Sequence, residues 1–173
     1  MTENDRPVEP VDRTAAEQLW AEYALARPEV VAAFPDYTVE HFGDSQRLAD
    51  ELLGLVMNGV KSATAELVAD FVGRGDPIPR IGSHWIACDS QGAPRIIIRS
   101  TDLRIGPFAS ADASFAADEG EDDRTLESWR REHRRYWERV SAAQGRVWSE
   151  EDEIVFERFA VVWPPRGAAP LDA

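Results

Sequence analysis

Apolar residues recur along the chain with two different periods, and the changes of period divide it into elements. Leu19, Trp20 and Tyr23 fall three to four apart, the spacing of one helix face. Thr14-Ala15-Ala16-Glu17 has the form of a capping box, in which a hydroxyl and a Glu three residues later satisfy two free amides. A helix is therefore predicted from Thr14 to Arg27, stopped by Pro28. Tyr37 to Phe42 reads as a short strand. Asp44 and Ser45 then offer caps to a second helix, in which Leu48, Leu52, Leu55 and Val56 share a face. Asn58-Gly59 supplies its left-handed stop.

After Gly59 the residues turn small and β-branched, and Val60 to Ala65 is predicted as a strand leaving a tight turn. Pro77 and Pro79 mark a loop. Trp85 to Cys88 and the isoleucine-rich Arg95 to Ile105 are predicted strands, joined as a hairpin through Asp89-Ser90-Gln91-Gly92. A short helix from Ser110 to about Ala117 leads into an acidic loop, Glu119 to Asp123. Thr125 caps a long helix whose buried stripe runs through Leu126, Trp129, His133, Tyr136 or Trp137, and Val140. Ile154 to Trp163 is the closing strand. Helices flanking a small, mostly antiparallel sheet or barrel make an α+β fold. Residues 1–12, acidic and Pro-containing, read as a disordered lead, 13–163 as a single domain and 164–173 as a tail.

Composition narrows the function. With 43% hydrophobic and 29% charged residues, the chain can bury a core without a disulfide or a metal. Cys88 is the only cysteine, which fits a reducing compartment and a cytoplasmic location. No apolar run approaches the roughly 20 residues of a membrane span. The net charge of −13 argues against strong non-specific binding to nucleic acid, which rests on many basic contacts. It leaves room for a pocket that takes one nucleotide or nucleoside. The chain has no Gly-rich phosphate loop, and His41, His84 and His133 lack metal-ligand spacing, so no cofactor or metal is expected. The sharper fact is that 18 arginines accompany a single lysine, Lys61. Only lysine carries an amine that can lose its proton when desolvated and then act as base or nucleophile.

Three segments together carry a resemblance: Phe42-Gly43-Asp44-Ser45 leading to Asn58-Gly59, then Gly59-Val60-Lys61-Ser62-Ala63-Thr64, then Ala117-Asp118-Glu119-Gly120 followed by Arg124-Thr125-Leu126-Glu127-Ser128-Trp129-Arg130. From about residue 40 to 163 the chain resembles the ASCH domain family, in its bacterial single-domain branch. The resemblance implies a β-barrel similar to the PUA domain, with RNA or a modified nucleoside bound in a cleft beside it. The segment matching the family's Gly-Lys-Lys-Thr-type motif would line that cleft, with Val60 standing where many members carry a second basic residue. Some members are acetylcytidine amidohydrolases, which implies roles for Lys61, Thr64 and Glu119. Others are ribonucleases, which implies Lys61 and Thr125. Both hydrolase readings centre on Lys61; the competing class is a non-catalytic RNA-binding or regulatory module.

The chemistry sets conditions on these readings. As a nucleophile Lys61 must be neutral, which burial favours and a close carboxylate opposes. Glu119 then serves as proton acceptor or orienting group, not as a tight ion-pair partner. Thr64 would donate to a developing oxyanion, and it shares a site with Lys61 only if a turn or bulge separates them, because strand residues three apart face opposite ways. As a ribonuclease, the chain would keep Lys61 charged against the phosphate, with Thr125 beside it. Each candidate also has an ordinary structural reading. Thr125 is a helix N-cap, Glu119 part of a solvated acidic loop, and Trp129 and His133 core residues. Trp129, His133 and Arg130 are the candidate substrate contacts. Arg130, Arg131, Arg134, Arg135 and Arg139 are interleaved with Glu127, Glu132 and Glu138, the pattern of a salt-bridged helix face.

Overall fold

A computed structural model describes residues 6–165. Helices α1 (Arg13–Ala26) and α2 (Pro28–Ala33) precede strand β1 (Tyr37–His41), helix α3 (Gln46–Met57), strand β2 (Ala63–Leu67) and helix α4 (Val68–Arg74). Strands β3 (His84–Cys88) and β4 (Pro94–Gly106) form the central hairpin. A 3-10 turn, α5 (Ala113–Glu119), α6 (Leu126–Ala143) and β5 (Ile154–Trp163) complete the chain. The five strands form one mixed sheet in the order β1-β3-β4-β5-β2, parallel only between β1 and β3. The sheet is a half-barrel, with β1 and β2 as its edges, and the α+β class is as expected.

Three clusters anchor the helices. Alternation in β2 and β5 sends Ala63, Leu67, Ile154 and Phe156 against Phe115 of α5 and Trp129 and Trp137 of α6. On the other face, α3 packs Leu52, Leu53 and Val56 against Ile96, Ile98 and Phe159. Helix α1 covers Ile86 and Ile97 with Ala16, Leu19 and Tyr23. Burying side chains of this size contributes roughly 1.5–3 kcal/mol each.

Several sequence expectations are corrected. The first helix is capped by Asp12, whose carboxylate accepts from Ala15 N at 2.9 Å, and not by a capping box at Thr14. Asp is as good a cap as any residue, and two residues upstream it starts the helix early. Pro28 does end α1, but it also opens α2 as its first residue, where its missing N–H costs nothing. The strand after Gly59 begins at Ala63, so Lys61 sits in the connection. Helix α4 follows directly. Residues 6–12 pair with the body of the domain: Gln46 N donates to Arg6 O, Glu9 N to Ser90 O and Asp12 N to Gly92 O, each at 2.9 Å. A Cβ at Gly92 would lie 2.1 Å from Pro10 O, so that glycine admits the segment. The remainder of the predicted lead, 1–5, and most of the tail, 166–173, lie outside the described residues.

Candidate functional site

The position of Lys61 follows from how two loops meet. Helix α3 ends at Asn58, and Gly59 takes a left-handed φ of 74°. Val60 N and Lys61 N then both bond to Leu55 O, at 2.9 and 3.1 Å. The turn reaches the end of α5, where Ser62 N donates to Asp118 O at 2.7 Å. Gly120 closes the junction. Its φ is 70°, and a Cβ there would stand 2.4 Å from Val60 O. Only glycine permits that approach, and it brings Glu119 and Glu121 to either side of the lysine.

Lys61 is 2% exposed and Glu119 1%. The Lys61 ammonium donates to Glu121 Oε1 at 2.6 Å and lies 3.8 Å from Glu119 Oε1. Glu119 Oε2 accepts from Trp129 Nε1 and meets His133 Nε2 at 3.1 Å. His133 Nδ1 lies 3.0 Å from the Trp129 carbonyl oxygen. A carbonyl and a carboxylate both only accept, so both ring nitrogens of His133 carry protons and the ring is an imidazolium. It stacks on Trp129 with centroids 4.1 Å apart and planes 17° apart. Two cations and two carboxylates thus form a neutral cluster.

The ionisation follows from that pairing. Burial works against the charge of Lys61, but Glu119 and Glu121 outweigh it and its pKa is raised. Burial likewise opposes Glu119's charge, and Lys61 and His133 outweigh it, so the carboxyl is held below its ordinary range. For His133, Glu119 overcomes burial and the pKa is raised. The neutral Lys61 that attack by its amine would require, with Glu119 standing clear, is not what this pairing favours: the lysine is held as an ammonium in an ion-paired cluster. Glu119 is likewise no part of a solvated loop; it is the buried last residue of α5.

The cluster forms one end of a cavity of about 1110 Å³, bounded by α3, α6, β1, β2 and the loop from Asp76 to Arg80. Twelve acidic and six basic residues line it. Lys61, Thr64, Glu119 and His133 all do so. The connection between Lys61 and the start of β2 breaks the strand alternation, so residues three apart reach one cavity. The Thr64 hydroxyl makes no hydrogen bond to another described residue. Trp129 stands behind Glu119, 5% exposed, as core. Thr125 and Arg130 are not part of the lining. Thr125 is exposed and caps α6, accepting from Ser128 N at 3.1 Å and donating to Asp123 Oδ1 at 2.7 Å. Four of the five arginines of α6 are paired, Arg131 with Glu132, Arg134 with Glu150, Arg135 with Glu132 and Arg139 with Asp44, while Arg130 makes no ion pair with a described residue. Among the described residues no group of His, Cys, Asp and Glu could hold a metal, and no helix is long and apolar enough to cross a membrane.

Two cavity residues escaped the sequence reading. Glu121 is the direct partner of Lys61 and lies two residues past Glu119 in the same acidic run, a spacing that a turn at Gly120 makes available. Glu157 interrupts the apolar run Ile154-Val155-Phe156 in β5; a carboxylate at an inward position of such a strand is the signal that could have exposed it.

A half-barrel with helices on both faces and a charged cavity lined by both of its edge strands is the arrangement of a PUA-like domain. The ASCH domain family model matches residues 38–163, and the chain belongs to the ASCH domain family. An ASCH domain from Lactobacillus crispatus JV V101 aligns with a TM-score of 0.78 at 24% identity, covering 88% of this chain and 96% of that one. A protein from Enterococcus faecalis V583 aligns with a TM-score of 0.74 at 29% identity, covering 87% of this chain and 90% of that one. No curated protein matches the chain.

Proposed function

We infer that the cavity takes a modified nucleoside and that the domain hydrolyses an acyl group from the base amine, as an acylcytidine amidohydrolase would. The observation that carries this reading is the convergence of Lys61, Thr64 and Glu119 on one cavity, while Thr125, on which the ribonuclease reading depends, caps α6 outside it. The excess of acidic over basic lining residues and the net charge of −13 also favour an uncharged nucleoside over a polyphosphate chain.

In this reading Lys61 acts as a cation. Attack by its amine would give an acyl-lysine, an amide as hard to hydrolyse as the substrate. A water oxygen instead adds to the acyl carbon and gives its proton to Glu121. The Lys61 ammonium and the Thr64 hydroxyl donate to the oxyanion. The C–N bond then breaks, the proton passes from Glu121 to the departing amine, and the products are a carboxylic acid and the free aminonucleoside. Glu119 and His133 hold Lys61 in place and remain ionised throughout.

Purified full-length protein assayed on acylated cytidines and on single-stranded RNA, side by side, tests this. Lys61→Ala should lose about 100-fold or more in turnover and Thr64→Val about 10-fold, while Thr125→Val should change neither. Lys61→Arg should retain measurable activity, because the charge is kept. Unchanged turnover in Lys61→Ala, or RNA cleavage lost with Thr125 alone, overturns the reading. Nucleoside binding without turnover of either substrate would leave the non-catalytic module.

A further inference from the structure

One buried ionisable group has no part in that chemistry. Glu157 stands opposite Thr64 in the β2–β5 ladder and faces the same cavity. It is 7% exposed, yet no Lys, Arg or His pairs with it among the described residues. Its Oε1 accepts from Ser100 Oγ. Its Oε2 takes no hydrogen bond from any described residue and is not sealed from the cavity. Glu66, two residues along on the same face of the ladder, adds a second carboxylate. A buried carboxyl without a counter-ion is strongly disfavoured. Burial, with Glu66 adding to it, accordingly pushes its pKa up.

The surroundings fit a planar ring. Trp85 lines the cavity with Phe42 4.4 Å and Phe159 6.4 Å from its ring. Trp85 Nε1 is buried without a partner. The Lys61 Nζ lies 6.0 Å over the Phe42 ring, so the aromatic group reaches the lysine end of the cavity. An acylated base whose acyl group meets Lys61 keeps one N–H on the amine nitrogen, and that N–H and the adjacent ring nitrogen would turn towards the β-ladder.

We propose that Glu157 selects the base: it pairs with heterocycles carrying an exocyclic amine beside a ring nitrogen, as in cytosine and adenine, over those carrying a carbonyl beside an N–H, as in uracil and hypoxanthine. Both edges offer one donor and one acceptor. Only the amino edge is an amidine, a base that can hold a proton against Glu157 and so give the buried carboxyl the cation the protein withholds. The resulting hydrogen bonds are charge-assisted, and those are roughly twice as strong as neutral ones. Ser100 orients the pair by occupying Oε1, which leaves Oε2 for the ring nitrogen.

This rests on the nucleoside reading of the cavity, and the test separates the two. Cytidine, adenosine, uridine, inosine and guanosine are titrated into the full chain at pH 7, with binding read by calorimetry. Wild type should prefer cytidine and adenosine by roughly tenfold. Glu157→Gln, which keeps a donor and an acceptor but cannot exchange a proton, should bring cytidine, adenosine, uridine and inosine to within about twofold of one another without losing uridine. Glu157→Leu should weaken all four, and unchanged thermal unfolding shows that the fold is intact. Equal wild-type affinities, or a preference that survives both substitutions, overturns the role of Glu157 alone. Preference for guanosine, whose two adjacent donors suit an ionised acceptor, also overturns it. Failure of all five to bind wild type overturns the nucleoside reading itself.

Discussion

Two walls of one cavity shift the ionisation of buried carboxyls in opposite directions. At the lysine end Glu119 is 1% exposed, yet its pKa is lowered, because Lys61 and His133 outweigh burial. On the β-ladder, burial prevails. Glu157 is raised, and Glu66 is pushed up to about 7 by burial despite its bond to Arg74. Arg74 is divided among Glu66, Asp76 and Glu40, whereas Glu119 has two cations within reach. Depth alone does not set ionisation; the ratio of cations to carboxylates at each wall does. Within one cavity the lysine end is thereby held charged, while the carboxyls of the ladder are shifted towards their protonated forms.

The largest effect should come from removing a cation where the charges are paired. Lys61→Met leaves Glu119 buried with only His133 and should cost about 3–5 kcal/mol of stability at pH 7, the usual result of breaking a buried pair from one side. A folded-state pKa below the unfolded value makes Glu119's contribution present above about pH 4.3 and lost as pH falls through its folded pKa. Urea unfolding of both proteins should therefore show the deficit shrinking towards pH 4. A deficit of equal size at both pH values would mean that lost packing, not lost pairing, is responsible. Adding Glu119→Gln to Lys61→Met should recover part of the loss.

The same operation on the ladder should have the opposite sign. Glu157's folded pKa is raised, so its own contribution to stability is greatest at or below about pH 4.3 and is lost as pH rises through the folded pKa. Glu157→Gln keeps an oxygen for Ser100 and carries no charge. It should match wild type at pH 4 and gain on the order of 1 kcal/mol at pH 8, as uncompensated buried charge is removed. Denaturant midpoints at the two pH values measure this, and a destabilised variant at pH 8 would erase the contrast between the walls.

Local signals were legible in the sequence where one residue decides the structure. Ser45 and Thr125 cap the helices that follow them, and β5 spans Ile154–Trp163 as its apolar run suggests. The first helix was misread at its start because two good caps lie two residues apart and Asp12 prevails. Lys61 and Thr64 were legible as candidates through the family motif. Glu121 and Glu157 were not, because their importance lies in what faces them. Glu121 needs the close approach of Gly120 to Val60, and Glu157 is unusual only for the cation it lacks. The charge state of Lys61 was out of reach for the same reason. Burial and the nearby carboxylates act in opposite directions, and only their geometry decides between them.

The smallest effect should come from the helix cap that the family resemblance implied as part of the site. Thr125→Ala removes the acceptor for Ser128 N and the donor to Asp123, and caps of this kind contribute about 1 kcal/mol. The loss should appear in thermal unfolding as a shift of about 2–4 °C, scaled for a chain of this size. Nothing in it touches the cluster around Glu119, because Thr125 is exposed and outside the cavity lining. The imidazole resonances of His133 give the independent readout. In both proteins the His133 pKa should lie above the ordinary 6.5, held up by Glu119 against burial, while His84 titrates near its lowered value of about 4. A His133 titration that moves with Thr125→Ala would mean that the start of α6 is coupled to the cluster, and the cap would then belong to the site after all.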